Sequence, residues 1–525
     1  MRARTIAVSL ALAGAAAVAI VGACGSGSSQ SFGPPPPAGD SGADQGGPVS
    51  CPGSTLCGGT CVDTTTDPAN CGGCGHACTG GGLCCGGVCV VTAACSFAVT
   101  KTTPARGNQN GGDFIKLAGN GFVQGMQVFI GDGAAPTRML DAHNAIIQTP
   151  PAPVGVYDVK VVAGGMIATL HGGFQYVVGG LQQPWQKKPM SVVRGEDPAL
   201  AVLQDGRVLI AGGTLVPDDA TMAVNTAEIY TRSTDTVTLA ANKMSITRWH
   251  DSATTMLTGK ALVAGGAAAS TSADLFDPAT NMFSPTKSAM NTARFYMRSV
   301  LLLDGRVLLT SRDVQTAEIY DPDMDSFTQI PTLGIHSFGF IVRLRDGRVL
   351  LGGGDGGVTT CEIYDPATGA FKAAASLLQG RSMLTAHTLP NGHVMVIGGS
   401  TMSAGAVDAP LDEIELYDPK TDMWTVAPYK LSTPRTWHAS ALVRDGTILV
   451  MGGYNVDKSC APTNTVDQVD PVMGKVTAFA TLPNPNTEWT AVTLLDGSVL
   501  GVGGGACGTP TALPDIDFLP GATNQ

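Results

Sequence analysis

The sequence predicts an all-β chain, and three observations carry that prediction. A unit made of a glycine turn, Asp-Gly or Asn-Gly in six copies and Thr-Gly in one, followed by an apolar strand recurs seven times between residues 181 and 519. Residues 96–178 alternate apolar and polar with a period of two. Gly accounts for 68 of 525 residues while aromatics make up 6% and charged residues 14%, a balance that favours short strands and turns over long helices. Hydrophobic content of 44% supports buried cores, and the length predicts several domains rather than one compact cytosolic enzyme. The formal charge of −11, with no stretch concentrating Lys or Arg, argues against a nucleic-acid partner. Ten of the 14 Cys fall between Cys51 and Cys95, a density that points to an oxidising compartment outside the cytoplasm.

The N-terminus reads as an export signal over residues 1–23: Arg2 and Arg4 precede an apolar stretch, Thr5 to Val21, that ends in small residues. A transmembrane helix is the competing reading, but the stretch is at the short end of the roughly 17–25 residues required and has no basic flank after it. Val21-Gly22-Ala23-Cys24 resembles the lipobox of bacterial lipoproteins. That resemblance implies cleavage before Cys24 and acylation of its thiol, which would place the chain at the cell envelope, on the outer membrane or cell surface, through a lipid anchor. Residues 24–50 then form a tether, since their Gly, Ser and Pro cannot bury enough surface to offset ordering.

Residues 51–95 carry Cys51, Cys57, Cys61, Cys71, Cys74, Cys78, Cys84, Cys85, Cys89 and Cys95 among Gly, Thr and Asp. The CxxC at Cys71 and Cys74 is compatible with zinc or redox chemistry, but a Gly-rich exported segment with one nearby His, His76, favours structural disulfides of undetermined connectivity. The run from Cys57 to Cys74 resembles the Cys-rich repeat of stigma-specific-type secreted proteins, which implies a spacer or adhesion module. In residues 96–178, the segments beginning at Phe114, Met126, Ala145 and Tyr157 read as short strands of a small β-sandwich. Pro104, Gly111-Gly112, Gly119-Asn-Gly121-Phe122, Pro150-Pro151 and Phe174-Gln-Tyr176 resemble an immunoglobulin-like IPT/TIG domain, which implies a spacer or interaction module.

From residue 179 to 525 the seven copies place turn glycines at 206, 259, 305, 347, 392, 446 and 497. Asp-Gly supplies the positive φ angles of a two-residue hairpin loop. The intervals suit four-stranded propeller blades. In most copies a double Gly ends the second strand, and Glu-Ile-Tyr-Asp-Pro or a close variant marks the third. These features resemble the kelch repeat, and the expected fold is a seven-bladed kelch-type β-propeller preceded by the sandwich and the disulfide-rich segment. Copy seven lacks a fourth strand, and Trp185-Gln-Lys-Lys-Pro-Met190 reads as the missing piece, closing the ring without an exposed edge.

Counting back 11 residues from the turn glycine aligns Arg248, Arg294, Arg381 and Arg435, with His336 at that place in copy four. Beside them stand Trp249, His250, Tyr296, Trp437, His438 and Trp489. Together these form a candidate ligand-binding mouth, able to hold an anion or sugar by forked hydrogen bonds and stacking. The competing reading is that the arginines pack between blades and satisfy loop carbonyls. Cys460 and Cys507 follow the second strands of adjacent copies and are expected to pair, whereas Cys361 reads as a core thiol. The stretch Arg435-Thr-Trp437-His438 is similar to copper radical oxidases of the galactose oxidase type, where the matching His binds copper and the neighbouring aromatic is Tyr. Trp437 departs from that pattern, and no second His follows the last copy. The sequence therefore favours an envelope lipoprotein binding a protein or glycan, with no catalytic residue, metal or cofactor assigned. A divergent copper oxidase acting on carbohydrate or alcohol is the alternative.

Overall fold

The computed structural model describes residues 55–521 apart from 58–59, 63–66, 72, 80–82, 86–87, 91–96, 104, 110, 164–165, 178–180, 182–183, 196, 217–218, 267–269, 402–408, 456–461 and 506–512. The expected signal, Cys24, the tether, Cys51, Cys95, Cys460 and Cys507 lie outside the described residues. Among the described residues no helix is long and apolar enough to cross a membrane.

The Cys-rich segment forms two short antiparallel hairpins, Thr55–Cys57 with Thr60–Val62 and Leu83–Cys85 with Val88–Val90. A disulfide joins Cys57 to Cys74, and Cys71 and Cys78 are also disulfide-bonded. The sequence left this connectivity open. The pairing joins one edge of the first hairpin to the Asp67–Cys78 loop, where Asp67 and Asn70 side chains organise tight turns.

Two sheets follow. One orders Thr137–Met139, Asn144–Gln148, Phe114–Asn120 and Ala98–Thr103; the other orders Arg106–Asn108, Met166–Val177, Gly155–Ala163, Gln127–Ile130 and Gly133–Ala135. Their alternating apolar residues, including Ile115, Leu117, Val128, Ile147, Val159, Val161 and Phe174, share one core. Such interleaving is what a period-two pattern on two facing sheets produces.

The described residues after these form seven four-stranded antiparallel sheets, with one two-stranded ribbon, Ser400–Thr401 with Ala409–Pro410, between the second and third strands of the fifth. The first holds Ala199–Val202, Val208–Ala211, Ala227–Thr231 and Thr236–Leu239, and the next five repeat that order along the chain. The first strands touch their neighbours in sequence, and Ala199–Val202 also touches Thr487–Thr493 of the seventh sheet, so the series closes on itself. One apolar cluster fills each space between consecutive sheets. The last of these places Leu200, Val208 and Tyr230 of the first sheet against Leu500, Ile516 and Phe518 of the seventh. In the seventh sheet the outer strand comes from the other end of the series: Gln186–Pro189 runs antiparallel to Asp515–Leu519, with Lys187 opposite Asp517.

The double glycines have a steric cause. Gly212 and Gly213 adopt φ 69° and 89°, and a Cβ on Gly212 would meet the Arg248 carbonyl of the next sheet. A side chain there would force the sheets apart.

Candidate functional site

Every third strand of the series carries a carboxylate at the same register: Glu228, Asp274, Glu318, Glu362, Glu415, Asp467 and Asp517, all buried. A carboxylate removed from water needs a charged or hydrogen-bonding partner. Six copies supply one from the loop before the first strand: Arg194 to Glu228 at 3.2 Å, Arg248 to Asp274 at 2.7 Å, Arg294 to Glu318 at 3.0 Å, His336 to Glu362 at 2.9 Å, Arg381 to Glu415 at 2.6 Å and Arg435 to Asp467 at 3.1 Å. The same arginines donate to the carbonyl of the first glycine of each pair, as Arg248 does to Gly265 at 2.7 Å and Arg381 to Gly398 at 3.1 Å. In copy three, which has no double Gly, Ser311 Oγ accepts from Arg294 instead.

At the arginines the geometry follows the competing reading rather than the expected mouth: Arg248, Arg294, Arg381 and Arg435 are at most 1% exposed and donate to carboxylates, hydroxyls and loop carbonyls. His336 does the same work, with Nδ1 2.9 Å from the Gly353 carbonyl. Burial pushes the Arg294, Arg381 and Arg435 guanidinium groups below the usual arginine value, offset by their carboxylates. Arg194 belongs to the set but lies 12 residues before its turn glycine, so a fixed count of 11 passes it by. Copy seven breaks the rule: Asn486 replaces the arginine and donates to Gly503 O at 3.2 Å, while burial pushes the Asp517 carboxyl up to about 7.

A second set of equivalent positions lies two residues further on. Asp197, His250, Tyr296, Phe338, Met383, Trp437 and Glu488 each stand nine residues before a turn glycine, one per sheet, and all have positive φ, from 32° to 57°. For non-glycine residues such a conformation costs on the order of 1–3 kcal/mol, and it gathers at functional sites. The main chain links consecutive members: Met383 N donates to Phe338 O, Trp437 N to Met383 O, Glu488 N to Trp437 O and Asp197 N to Glu488 O.

The ring is chemically two-sided. On one side Tyr296, Phe338 and Trp437 meet edge to face or tilted, at 4.5 Å for Tyr296–Phe338 and 5.4 Å for Phe338–Trp437, and Arg312 lies over Phe338 at 4.7 Å. On the other, Asp197 lies 3.2 Å from His250 Nδ1, and His250 stacks on Tyr296 at 3.7 Å. Burial works to raise the Asp197 carboxyl, but the hydrogen bond from His250 and the charge of Arg298 outweigh it and hold the group below 3.8. Trp249 sits outside this ring, against His250 and Phe295.

Beneath the ring is a cavity of about 290 Å³, lined among others by Arg298, Thr385, His387, His438, Glu488 and Trp489. His438 Nε2 lies 3.0 Å from Thr385 Oγ1, and burial drives the imidazole down to about 3; His387 falls to about 4 for the same reason. Both rings are therefore neutral near pH 7. His387 Nε2 and Ser440 Oγ, 2.6 Å apart, have the look of a base and nucleophile, but Thr254 and Ser299 make the same 2.6 Å bond at the same register three sheets earlier. It is a stitch between neighbouring first strands. Trp489 is buried, its ring covering Gly501.

Of the expected mouth residues, the structure brings His250, Tyr296 and Trp437 to the ring and His438 and Trp489 to the wall below. The sequence reading missed Asp197, Phe338, Met383 and Glu488, which a count of nine rather than 11 would have aligned.

The described residues do not fit a copper radical centre. No three His, Cys, Asp or Glu side chains among them converge as a metal site. His438 is held by Thr385, and Cys361 is buried on a third strand with its thiol pushed up to about 12 by burial. The one Tyr of the ring, Tyr296, is stacked on His250.

Comparison with known proteins agrees with this organisation. Residues 98–176 match the IPT/TIG domain, and residues 47–101 match the stigma-specific STIG1-like protein family. Among curated proteins, the mouse Kelch-like protein 35 is 26% identical over 238 residues, covering 44% of this chain and 38% of its own length. The F-box protein AFR of Arabidopsis thaliana is 28% identical over 137 residues, 26% of this chain and 32% of that protein. The chain thus spans about a third of the length of each of these relatives. A solved fungal alcohol oxidase of the AA5 family, in complex with copper, superposes with a TM-score of 0.53 at 18% identity, over 65% of this chain and 76% of that one. The likeness at that identity is one of fold. The all-β arrangement of small sheets is compatible with a kelch or galactose oxidase-like β-propeller.

Proposed function

We propose that the chain is an envelope-anchored lipoprotein whose seven sheets are the blades of a kelch-type β-propeller that binds a glycan at its axial mouth. The domains would follow the sequence: signal over 1–23, acylated Cys24 and tether to 50, disulfide module over 51–95, immunoglobulin-like sandwich over 96–178 and propeller over 179–525. The observation that carries the binding reading is the ring of seven positive-φ residues, which sets an aromatic arc of Tyr296, Phe338 and Trp437 opposite the carboxylates of Asp197 and Glu488. A sugar ring offers an apolar face for the arc and hydroxyls for the carboxylates. A protein loop is the competing ligand, and the modest cavity beneath the ring favours a small ring-shaped group over a peptide segment.

Trp437→Ala and Phe338→Ala should each weaken glycan binding about tenfold, the loss of roughly 1.4 kcal/mol expected for an aromatic stacking partner. Cys361→Ser, remote from the ring, should bind as the parent does. A glycan array and titration of any hit check this; equal binding by Trp437→Ala, or no glycan bound while a protein partner is, would refute the glycan reading. Stoichiometric copper with peroxide release from the purified protein would restore the oxidase reading. For the anchor, intact mass of the membrane-extracted protein should show cleavage before Cys24 and an acylated Cys24, and a free thiol there would remove the lipoprotein assignment.

A further inference from the structure

The cavity beneath the ring holds one cation that the packing of the sheets does not explain. Arg298 opens the first strand of sheet three, opposite Thr310, and lines the cavity of about 290 Å³. The same register in the other sheets is filled by Ala199, Ser252, Phe340, Thr385, Ala439 and Thr490, so a small or apolar side chain meets the structural need. Those six are buried or half-buried, and Arg298 alone at this register is exposed.

Its bonding sets it apart from Arg294, four residues earlier. Arg294 is held by Glu318, Ser311 and Thr316. Among the described residues Arg298 makes a single long hydrogen bond, from Nη1 to the Met297 carbonyl at 3.5 Å, and no ion pair. Asp197 and Arg298 interact through charge alone, and the hydrogen bond to that carboxylate comes from His250, 3.2 Å away. Most of the planar fork of guanidinium donors therefore stands open to the cavity.

Charge is unevenly placed around the ring. Arg298, Tyr296 and Phe338 belong to sheets three and four, where Arg312 lies over both aromatic rings and is neutralised by Asp313 at 2.8 Å. The carboxylates of Asp197 and Glu488 belong to sheets one and seven. A ligand lying across the ring meets a cation on the aromatic side and anions on the far side. The hydroxyls of a neutral sugar make no use of a full positive charge, whereas a carboxylate accepts two parallel bonds from one guanidinium. The anions on the far side would repel that carboxylate, which fixes the direction in which the ligand lies.

We propose that the ring takes a sugar bearing a carboxylate, of the hexuronate class, with its acid group on Arg298 and its ring against the aromatic arc. The proposal rests on the glycan reading above and adds the charge and orientation of the ligand.

The test is calorimetric titration of the full chain, at constant ionic strength, with D-glucuronate, D-galacturonate and the methyl ester of each. At least one acid should bind about tenfold tighter than its ester, the gain expected of one charge-assisted contact. Arg298→Gln should abolish that preference by weakening the acid and leave the affinity for the ester as in the parent. Trp437→Ala should weaken acid and ester alike. An ester that binds as well as its acid, a neutral glycan bound in preference to both acids, or an acid preference that persists in Arg298→Gln would overturn the proposal and leave the glycan reading standing. Melting of Arg298→Gln well below the parent would give the arginine a structural role and would also overturn it. Binding of no sugar, charged or neutral, would remove both readings, and binding of a polyglutamate peptide in that case would make the ligand an acidic protein segment. Tighter binding of N-acetylneuraminate than of either hexuronate would overturn the hexuronate class.

Discussion

Trp185→Ala should destabilise the closed series of sheets by about 3–5 kcal/mol, and removal of residues 181–190 should leave a protein that aggregates. Trp185 is 8% exposed and packs in the cluster that contains Leu449, Met451, Val499 and Leu519, between the sixth and seventh sheets. It also leads into Gln186–Pro189, the strand that completes the seventh sheet. Removing that strand bares the outer edge of Asp515–Leu519, whose Ile516 and Phe518 are buried. An unpaired apolar edge recruits other chains. All five Trp lie between residues 185 and 489, so intrinsic fluorescence during denaturant unfolding reports on this part of the molecule alone. A Trp185→Ala midpoint unchanged from the parent, or a soluble deletion variant melting where the parent does, would show that the ring does not depend on this closure.

The closing strand was legible because the fourth-strand pattern of an aromatic followed by polar residues is short but repeated, and one copy was visibly missing it. The turn glycines were legible for a stronger reason, although the turn is not the expected two-residue loop with two positive φ angles. In all seven copies the glycine has φ of 86–92°, while the residue before it, Asp in five copies and Thr258 or Asn391 in the others, does not take a positive φ. The role of the arginines was harder to read, although the needed signal was present. A strand such as Ala317-Glu-Ile-Tyr320 is buried on both faces, and a carboxylate in its middle calls for a buried cation. The arginine lies 24 residues earlier in that copy, and only the register of the second and third strands shows that the two meet. The mouth ring was obscured for a different reason. Its members are Asp, His, Tyr, Phe, Met, Trp and Glu, which share no side-chain chemistry. What they share is a backbone angle, and composition does not record it.

That same register predicts how stability responds to pH at the closing sheet. Asp517 occupies the position that Glu318 and Glu415 hold elsewhere, but Asn486 stands where their arginines do. Burial lifts its carboxyl from 3.8 to about 7, with Lys187 pulling the other way. The folded state therefore holds a proton at this site that the unfolded chain has released between about pH 4 and pH 7. Protons bound in excess by the native state make stability fall as pH rises. The contribution is complete below pH 4 and is lost as pH climbs through 7. At about 1.4 kcal/mol per unit, the full swing is on the order of 4 kcal/mol at most. Asp517→Asn cannot ionise, so it should match the parent at pH 4 and exceed it by a few kcal/mol at pH 8, measured by denaturant midpoints across that range. A difference between variant and parent that stays constant from pH 4 to pH 8 would mean that Asp517 is ionised in the folded protein throughout. Lys187, opposite it on the closing strand, would then be supplying the charge that arginine supplies in the other sheets. Lys187→Met separates the two cases: it should create an alkaline loss of stability that the parent lacks if the lysine serves as that partner, and should only extend the parent's existing loss to higher pH if Asp517 is protonated.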